Sequence, residues 1–330
     1  MLEILNQEPI RFILAFGATI FLVLNLAAIL TMAERKVAGY IQMRYGPNRV
    51  GPRGLLQPAA DVFKLFTKEN LAPTKADLWT FLIAPIAMFL PAALVWIVIP
   101  FAPGAVIADL NVAIVFFLAI TSISSLGIIM AGYGSRSNFS LLGALRGAAQ
   151  IVSYEVPMIL SLLGVIMLTG SLSLVDMVSN QAGGFWNWHF ISQFPMFLVF
   201  YIAGLAEVQR VPFDLAEGES EIVGGFQIEY SGMTWGLIQA AEFAAMGVIS
   251  AVAATVFLGG WQPPLPFLDL GQFNFIWLGL KVSLIIFTFQ LIRWSLPRFR
   301  MDQLMDLGWK ILVPICVAWI FVTAAAMLVF

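Results

Sequence analysis

Long apolar runs alternate with short polar stretches along the whole chain. A helix of about 20 apolar residues is long enough to cross a bilayer. By this measure the sequence predicts eight membrane spans, at residues 10–33, 79–101, 111–132, 148–169, 191–208, 234–258, 273–295 and 311–329. We therefore expect an all-α polytopic membrane protein, with residues 1–330 forming a single membrane domain.

Composition supports this prediction. Of the 330 residues, 60% are hydrophobic and 11% are charged, whereas soluble domains average about 25% charged residues. Most of the Lys and Arg residues fall in connections that alternate along the chain, namely loops 34–78, 133–147, 209–233 and 296–310. Connections 102–110, 170–190 and 259–272 contain no Lys or Arg. Because cytoplasmic loops carry an excess of Lys and Arg, the basic loops are expected on the cytoplasmic or matrix side and both termini on the other side.

One loop of the basic side is unusually acidic. Between Glu207 and Glu229 a single arginine accompanies six carboxylates: Glu207, Asp214, Glu217, Glu219, Glu221 and Glu229. Aromatic and aliphatic residues alternate with these acids. The alternative interpretation is a freely hydrated linker, but a hydrated linker does not require such apolar side chains. We predict a folded, partly buried loop whose crowded carboxylates do not all ionise near neutral pH.

The long basic loop 34–78 contains a predicted amphipathic helix. Gln57, Asp61, Lys64 and Lys68 recur at helical spacing among Leu, Ala, Val and Phe residues, which is typical of a helix that lies in the membrane interface. This helix is either a plain surface anchor or one wall of an entrance for an amphipathic substrate.

Charged residues also occur within the predicted spans. Glu155 and Glu242 lie inside spans, Glu207 ends one, and Lys281 lies in the seventh. Charge inside a bilayer is costly, so such residues usually face the protein interior, form pairs or mark an ion path. We favour a proton relay through the three glutamates; the alternative is a structural hydrogen bond or a Glu–Lys pair.

Residue types that bind cofactors are scarce. The chain has one Cys and one His, no CxxC motif and no glycine-rich nucleotide motif. We expect this chain to bind no metal, flavin or iron–sulfur cluster, and no nucleic acid.

Several motifs, in order along the chain, carry a resemblance to a known family. They include Glu34-Arg-Lys-Val, Gly46-Pro-Asn-Arg-Val-Gly-Pro52, Ser153-Tyr-Glu-Val-Pro157, Pro212-Phe-Asp-Leu215 and Pro297-Arg-Phe-Arg-Met-Asp-Gln-Leu304. From about residue 30 to 315 the chain resembles the quinone-chamber membrane subunit, designated H, of the proton-pumping NADH:quinone oxidoreductases, respiratory complex I.

The resemblance implies an eight-span protein at the junction of the membrane and peripheral arms. A quinone tunnel would run between the first span, the amphipathic helix and the sixth and seventh spans. Its polar lining would comprise Arg35, Asp61, Lys64, Glu219 and Arg298, with Phe226 nearby. The family's glutamate channel would comprise Glu155, Glu207, Glu217, Glu219, Glu221, Glu229 and Glu242.

The resemblance also implies the chain's partners and surroundings. A quinone, ubiquinone by expectation, would be the substrate, while NADH, FMN and the iron–sulfur clusters would bind to partner subunits. The expected partners are the peripheral-arm subunits that carry the quinone site and the last cluster, small neighbouring membrane subunits, and lipid. No complete active site would lie on this chain alone. The expected location is the bacterial inner membrane, or the mitochondrial inner membrane, with periplasmic termini in the bacterial case.

Two other functions stay open at this point. The chain could be the related membrane subunit of an energy-converting hydrogenase, in which no quinone enters, or an independent ion channel or carrier. The full basic loop with its amphipathic helix favours the quinone-dependent enzyme over the hydrogenase.

Overall fold

The structure is a computed structural model that describes the backbone of residues 8–329 and the side chains of residues 16–218 and 221–329. The longer helices are α1 (Glu8–Ile41), α2 (Gln57–Thr67), α3 (Leu78–Val95), α4 (Ala113–Gly134), α5 (Asn138–Thr169), α6 (Leu174–Asn180), α7 (Phe194–Glu207), α8 (Gly232–Phe257), α9 (Phe275–Ser295), α10 (Met301–Asp306) and α11 (Val313–Val329). Single helical turns lie at His189–Ser192 and Glu219–Ile222. A π-helical segment, Leu307–Leu312, joins α10 to α11. This described backbone contains no β-strand.

The predicted fold class, an all-α polytopic membrane protein, is confirmed. Seven helical stretches in the described part of the chain are long and apolar enough to cross a membrane. The helix within the predicted span 191–208 is shorter than these seven stretches. This helix, α7, has 14 residues and so extends only about 21 Å at 1.5 Å per residue. Its start follows from the sequence. The separate turn His189–Ser192 ends at Gln193, and Pro195, at the start of α7, has no N–H to continue the preceding helix.

Helix α5 is longer than its predicted span. It begins at Asn138 and has 32 residues, so Glu155 lies near its middle rather than eight residues from its start. The first turns of α5 instead project beyond the predicted span towards the acidic loop.

Helix α8 is the centre of the bundle. It packs against α1, α2, α3, α7 and α9. Nearly all of its residues from Ala241 to Phe257 are buried, whereas α1, α9 and α11 expose much of their apolar surface. A helix that is apolar on every side is expected in such a buried position. Polar side chains on α8 therefore face other protein elements.

The acidic loop between α7 and α8 is folded and partly buried, as predicted. Tyr230 stacks on Phe81 of α3 with 4.1 Å between ring centroids and donates a hydrogen bond to the Phe81 carbonyl. Phe213 packs on Tyr154 of α5. Gly143 of α5 permits this packing, because a Cβ atom there would lie 2.6 Å from the Cα of Gly225. We call this part of the molecule, with loops 42–77, 208–231 and 296–300, the loop end.

Candidate functional site

A cluster of buried charges lies at the loop end, where the acidic loop meets α1, α8 and α9. We call it the charge cluster, and Arg210 is at its centre. The Arg210 guanidinium lies 3.0 Å from a Glu242 carboxylate oxygen and 3.7 Å from one of Glu34. It also lies over the Phe243 ring, 4.5 Å from the centroid. The remaining members are Glu217, Gln227 and Arg293.

Burial and neighbouring charges shift the pKa of Arg210 in opposite directions. Burial disfavours its positive charge, but the surrounding carboxylates, Glu242 and Glu34 foremost, outweigh burial and hold the pKa of Arg210 above its ordinary value. Arg210 is therefore a permanent cation. Glu34 forms ion pairs with two cations, because it also contacts Arg293 of α9.

Gln227 connects the acidic loop to α8. Its side-chain N–H group donates hydrogen bonds to the carboxylates of Glu242, at 2.7 Å, and Glu217. Its side-chain oxygen accepts a hydrogen bond from the Gln239 amide. Burial raises the pKa of Glu217 well above its ordinary value, and the nearby Glu242 carboxylate raises it further. The raised pKa favours the protonated form of Glu217 beside Glu242.

Arg298 lies beside this cluster. Its guanidinium donates 2.8 Å to Asp214, and the backbone N–H of Phe299 donates to the carbonyl of Pro212. Burial raises the pKa of Asp214 more than the Arg298 charge lowers it. The structure thus places Arg298 with the acidic loop.

A second polar group, which we call the α2 group, joins α1 to the amphipathic helix. Arg35 donates 2.6 Å to Asp61, Lys64 lies 3.6 Å from the same carboxylate, and Gln57 donates to it at 3.0 Å. Burial alone would raise the pKa of Asp61, but the hydrogen bonds from Gln57 and Arg35 hold it below its ordinary value. Asp61 is therefore ionised at neutral pH.

Besides its contacts with α1 and α8, helix α2 is held by the segment that follows it. Asn70 accepts from the backbone N–H of Met233 and Ser231 accepts from that of Leu71, each at 2.9 Å. No residue of α2 is buried. Phe63 and Phe66 are 72% and 65% exposed, so much of the apolar surface of α2 is uncovered by this chain.

Glu155 and Glu207, on the neighbouring helices α5 and α7, form a third group. Glu155 of α5 accepts a hydrogen bond from Ser122 of α4. Glu207, at the end of α7, lines a small cavity with Thr121 and Ser124 of α4. Within the described residues its Oε2 has no hydrogen-bond partner.

The remaining predicted residues are dispersed. Glu221 forms a surface pair with Arg146 at 2.7 Å. Glu229 is half-buried in the acidic loop, and no described contact joins it to the charge cluster. The Glu219 side chain lies outside the described residues. Phe226 is fully buried and its backbone lies against α5, so the described contacts do not place it with the α2 group.

Sequence reasoning missed several members of the charge cluster as site residues. Glu34, Arg210 and Gln227 lie in the recognised motifs or in the acidic loop, where no role was assigned to them. Arg293 lies inside a predicted span, so the rule that singled out Lys281 would have found it. Lys281 itself forms no Glu–Lys pair in the described structure. It donates to the carbonyls of Gly260 and Gln262.

Metal-ligating side chains are not grouped in the described structure. Among residues whose side chains it describes, no three or more His, Cys, Asp or Glu are arranged to hold a metal ion. The three polar groups can instead hold, exchange or compensate protons and charge.

Comparisons with known proteins agree with the resemblance that the motifs carry. The family model described as NADH dehydrogenase matches residues 14–324. The NADH-quinone oxidoreductase subunit designated H of Rubrobacter xylanophilus is 74% identical over 328 residues, which cover 99% of each chain. The chain therefore belongs to the NADH dehydrogenase family, and within it to the NADH-quinone oxidoreductase subunits designated H.

Proposed function

We propose that this chain is the membrane subunit of a multisubunit NADH:quinone oxidoreductase in which it forms, with partner subunits, the quinone tunnel and a carboxylate relay for protons. The observation that carries the proposal is the charge cluster, which connects α1, α8, α9 and the acidic loop through carboxylates, Arg210 and Gln227. A buried set of groups with interdependent protonation suits coupling of a redox event to proton movement.

The α2 group supports the tunnel. A quinone has a polar head and a long apolar tail, so its path needs an apolar wall with a few polar contacts. Helix α2 offers exposed Phe63 and Phe66 beside Arg35 and ionised Asp61. Lys64 extends the polar edge of the same helix. We assign Arg298 and Glu219 to the deeper, acidic part of the path.

The relay extends from the charge cluster into the membrane. Glu217 and Glu242, joined by Gln227, are its loop-end members, and Glu207 and Glu155 are its inner members. Glu221 and Glu229 belong to its entrance on the acidic loop. A change of charge at the quinone would shift a proton at Glu217, and the other carboxylates of the relay would respond in turn.

Electrons reach the quinone from partner subunits in this proposal. Those partners bind NADH, FMN and the iron–sulfur clusters, and the peripheral-arm partners dock on the loop end. The positive-inside rule supports a cytoplasmic loop end, with both termini periplasmic, in a bacterial inner membrane. Ubiquinone is the proposed quinone.

Replacement of Asp61 by Ala tests the tunnel. Without the carboxylate, Arg35 and Lys64 lose their partner and the polar edge of α2 is disordered. We expect quinone reductase activity of the purified complex to fall on the order of tenfold, because the quinone is no longer positioned, while electron transfer from NADH to a soluble artificial acceptor is unchanged.

Asp306→Ala is the control, because Asp306 at the end of α10 also forms an ion pair, with Lys310 of the π-helical segment at 2.8 Å, at an exposed position outside the α2 group. Its quinone reductase activity should equal that of the unmodified complex. If both activities of the Asp61 variant fell together in a fully assembled complex, or if neither fell, Asp61 would have no part in a tunnel. A quinone photolabel that failed to react with this chain would favour the hydrogenase-type alternative.

A further inference from the structure

The chain segment that carries Arg210 is closed by one buried side chain of α5. The side-chain amide of Gln150 donates to the carbonyls of Ala206 and Phe213, each at 2.7 Å. A carbonyl can only accept a hydrogen bond, so the amide nitrogen, not its oxygen, must face these two groups. Ala206 belongs to the last turn of α7, where carbonyls lack a partner within the helix. Gln150 therefore joins the end of α7 to residue 213 and closes the segment 206–213.

The position of Arg210 depends on this segment. In the described structure neither Nε nor Nη2 of Arg210 has a hydrogen-bond partner, so its ion pairs attract the guanidinium without fixing its direction. The backbone must fix it instead. The N–H of Phe213 donates to the Arg210 carbonyl at 2.8 Å. Gln209, directly before Arg210, has a φ of 55°, which is strained for a residue other than glycine. Contacts from the surroundings are therefore needed to hold the turn in this shape.

The same face of α5 lets the acidic loop approach closely. Gly147 lies three residues, almost one turn, before Gln150. A Cβ atom at position 147 would lie 2.7 Å from the side-chain nitrogen of Gln209 and 2.9 Å from the Cβ of Ala216. Both distances are shorter than the optimal separation of non-bonded heavy atoms. Gly147 thus leaves room for the loop, and the Gln150 amide then fixes it.

We propose that Gln150 is a positioning residue of the quinone-coupled reaction. It holds the segment 206–213 so that the Arg210 guanidinium lies between the carboxylates of Glu34 and Glu242. The inference rests on the proposed function, because it takes the charge cluster as the site that responds to the quinone. Gln150 acts through the backbone of the segment and takes no proton itself.

Glu217 provides a readout of where Arg210 lies. Burial foremost, and then the carboxylates of Glu242 and Asp214, raise the pKa of Glu217, whereas the charge of Arg210 lowers it. If Arg210 moved away, the pKa of Glu217 would rise further. A relay member must release its proton in each cycle, so turnover falls at low pH, where the group stays protonated. A displaced Arg210 should therefore move the acidic limb of the pH profile to higher pH.

Gln150→Met in the assembled complex tests the proposal. Methionine has a similar length but cannot donate to the two carbonyls. We expect quinone reductase turnover at neutral pH to fall on the order of tenfold, because a charged group is misplaced. The acidic limb of the pH profile should move up by roughly one pH unit. Electron transfer from NADH to a soluble artificial acceptor should be unchanged.

Gly147→Ala is a second, milder test that does not remove the Gln150 amide. The added methyl group pushes the acidic loop away from α5, so turnover should fall and the acidic limb should again move to higher pH. This variant decides the question if Gln150→Met does not assemble.

The opposite end of the bundle offers matched controls. Gln181 is also fully buried, and its amide donates to the carbonyls of Thr255 and Val256 at the end of α8, each at 3.1 Å. Gly164 of α5 is also crowded, because a Cβ atom there would lie 2.8 Å from Oε1 of Gln193. Gln181→Met and Gly164→Ala should lower the temperature of thermal inactivation of the complex, with turnover and its pH profile unchanged.

Two results would overturn the inference, and they differ in what else they overturn. If Gln150→Met and Gly147→Ala lose stability like the two controls but keep the pH profile of the unmodified complex, while Glu207→Gln is impaired, Gln150 only supports the fold and the inference alone is wrong. If Glu207→Gln turns over and pumps normally, the proposed relay is wrong and the inference fails with it.

Discussion

Two cations are buried at opposite ends of the bundle and are compensated in different ways. At the loop end, Arg210 is 5% exposed and lies between the carboxylates of Glu34 and Glu242. At the other end, Lys281 is 8% exposed and donates to the carbonyls of Gly260 and Gln262 at 2.9 and 2.7 Å. Its ammonium group also lies 4.0 Å from the centroid of the Trp188 ring.

This difference separates a responsive site from a structural one. Carboxylates gain and lose protons, so the balance of charge around Arg210 changes with the protonation of its neighbours. Carbonyl dipoles and an aromatic face do not titrate, so the surroundings of Lys281 are fixed. The proposed function places proton coupling at the loop end, whereas the contacts of Lys281 join α9 to loop 259–262 at the opposite end.

Arg210→Met should have the largest effect. It leaves Glu34 and Glu242 buried without their shared cation, and removal of one partner from a buried ion pair costs about 3–5 kcal/mol. We expect little assembled complex and almost no quinone reductase activity, measured by native gel and by turnover of isolated membranes. Adding Glu242→Gln removes one of the unpaired carboxylates and should restore part of the assembly. Normal assembly and thermal stability of the single variant would show that the cluster is not held by charge.

Lys281→Met should have a smaller effect of a different kind. It leaves two carbonyls without their donor, at a cost of about 1–3 kcal/mol, but it also removes a buried charge. We expect a lower temperature of thermal inactivation for the purified complex, with turnover and the proton-to-electron ratio unchanged. An altered ratio in a variant of normal stability would place Lys281 on a proton path and remove the contrast with Arg210.

Much of the fold could be predicted from the sequence because membrane helices depend on local composition. The apolar runs predicted the spanning helices, and the aromatic residues within the acidic loop predicted its burial, which Phe213 and Tyr230 confirm. The shortness of α7 was missed, because the apolar run 191–208 does not by itself show that the helix begins only at Phe194, next to Pro195.

The pairings within the site could not be predicted in the same way. Glu34 contacts Arg210 and Arg293, which lie far along the chain, and such contacts follow from helix packing rather than from local pattern. The motif resemblance supplied the carboxylates as a set, but it did not show that Gln227 joins Glu217 to Glu242.

Glu207→Gln is the most direct test of the central claim that the glutamates relay protons. The amide keeps the size of the side chain and its place in the cavity but removes the exchangeable acid proton. In purified complex reconstituted into vesicles, quinone reduction and proton pumping should fall together, and Glu207→Asp should retain more of both. An assembled Glu207→Gln complex with normal turnover and a normal proton-to-electron ratio would contradict the account.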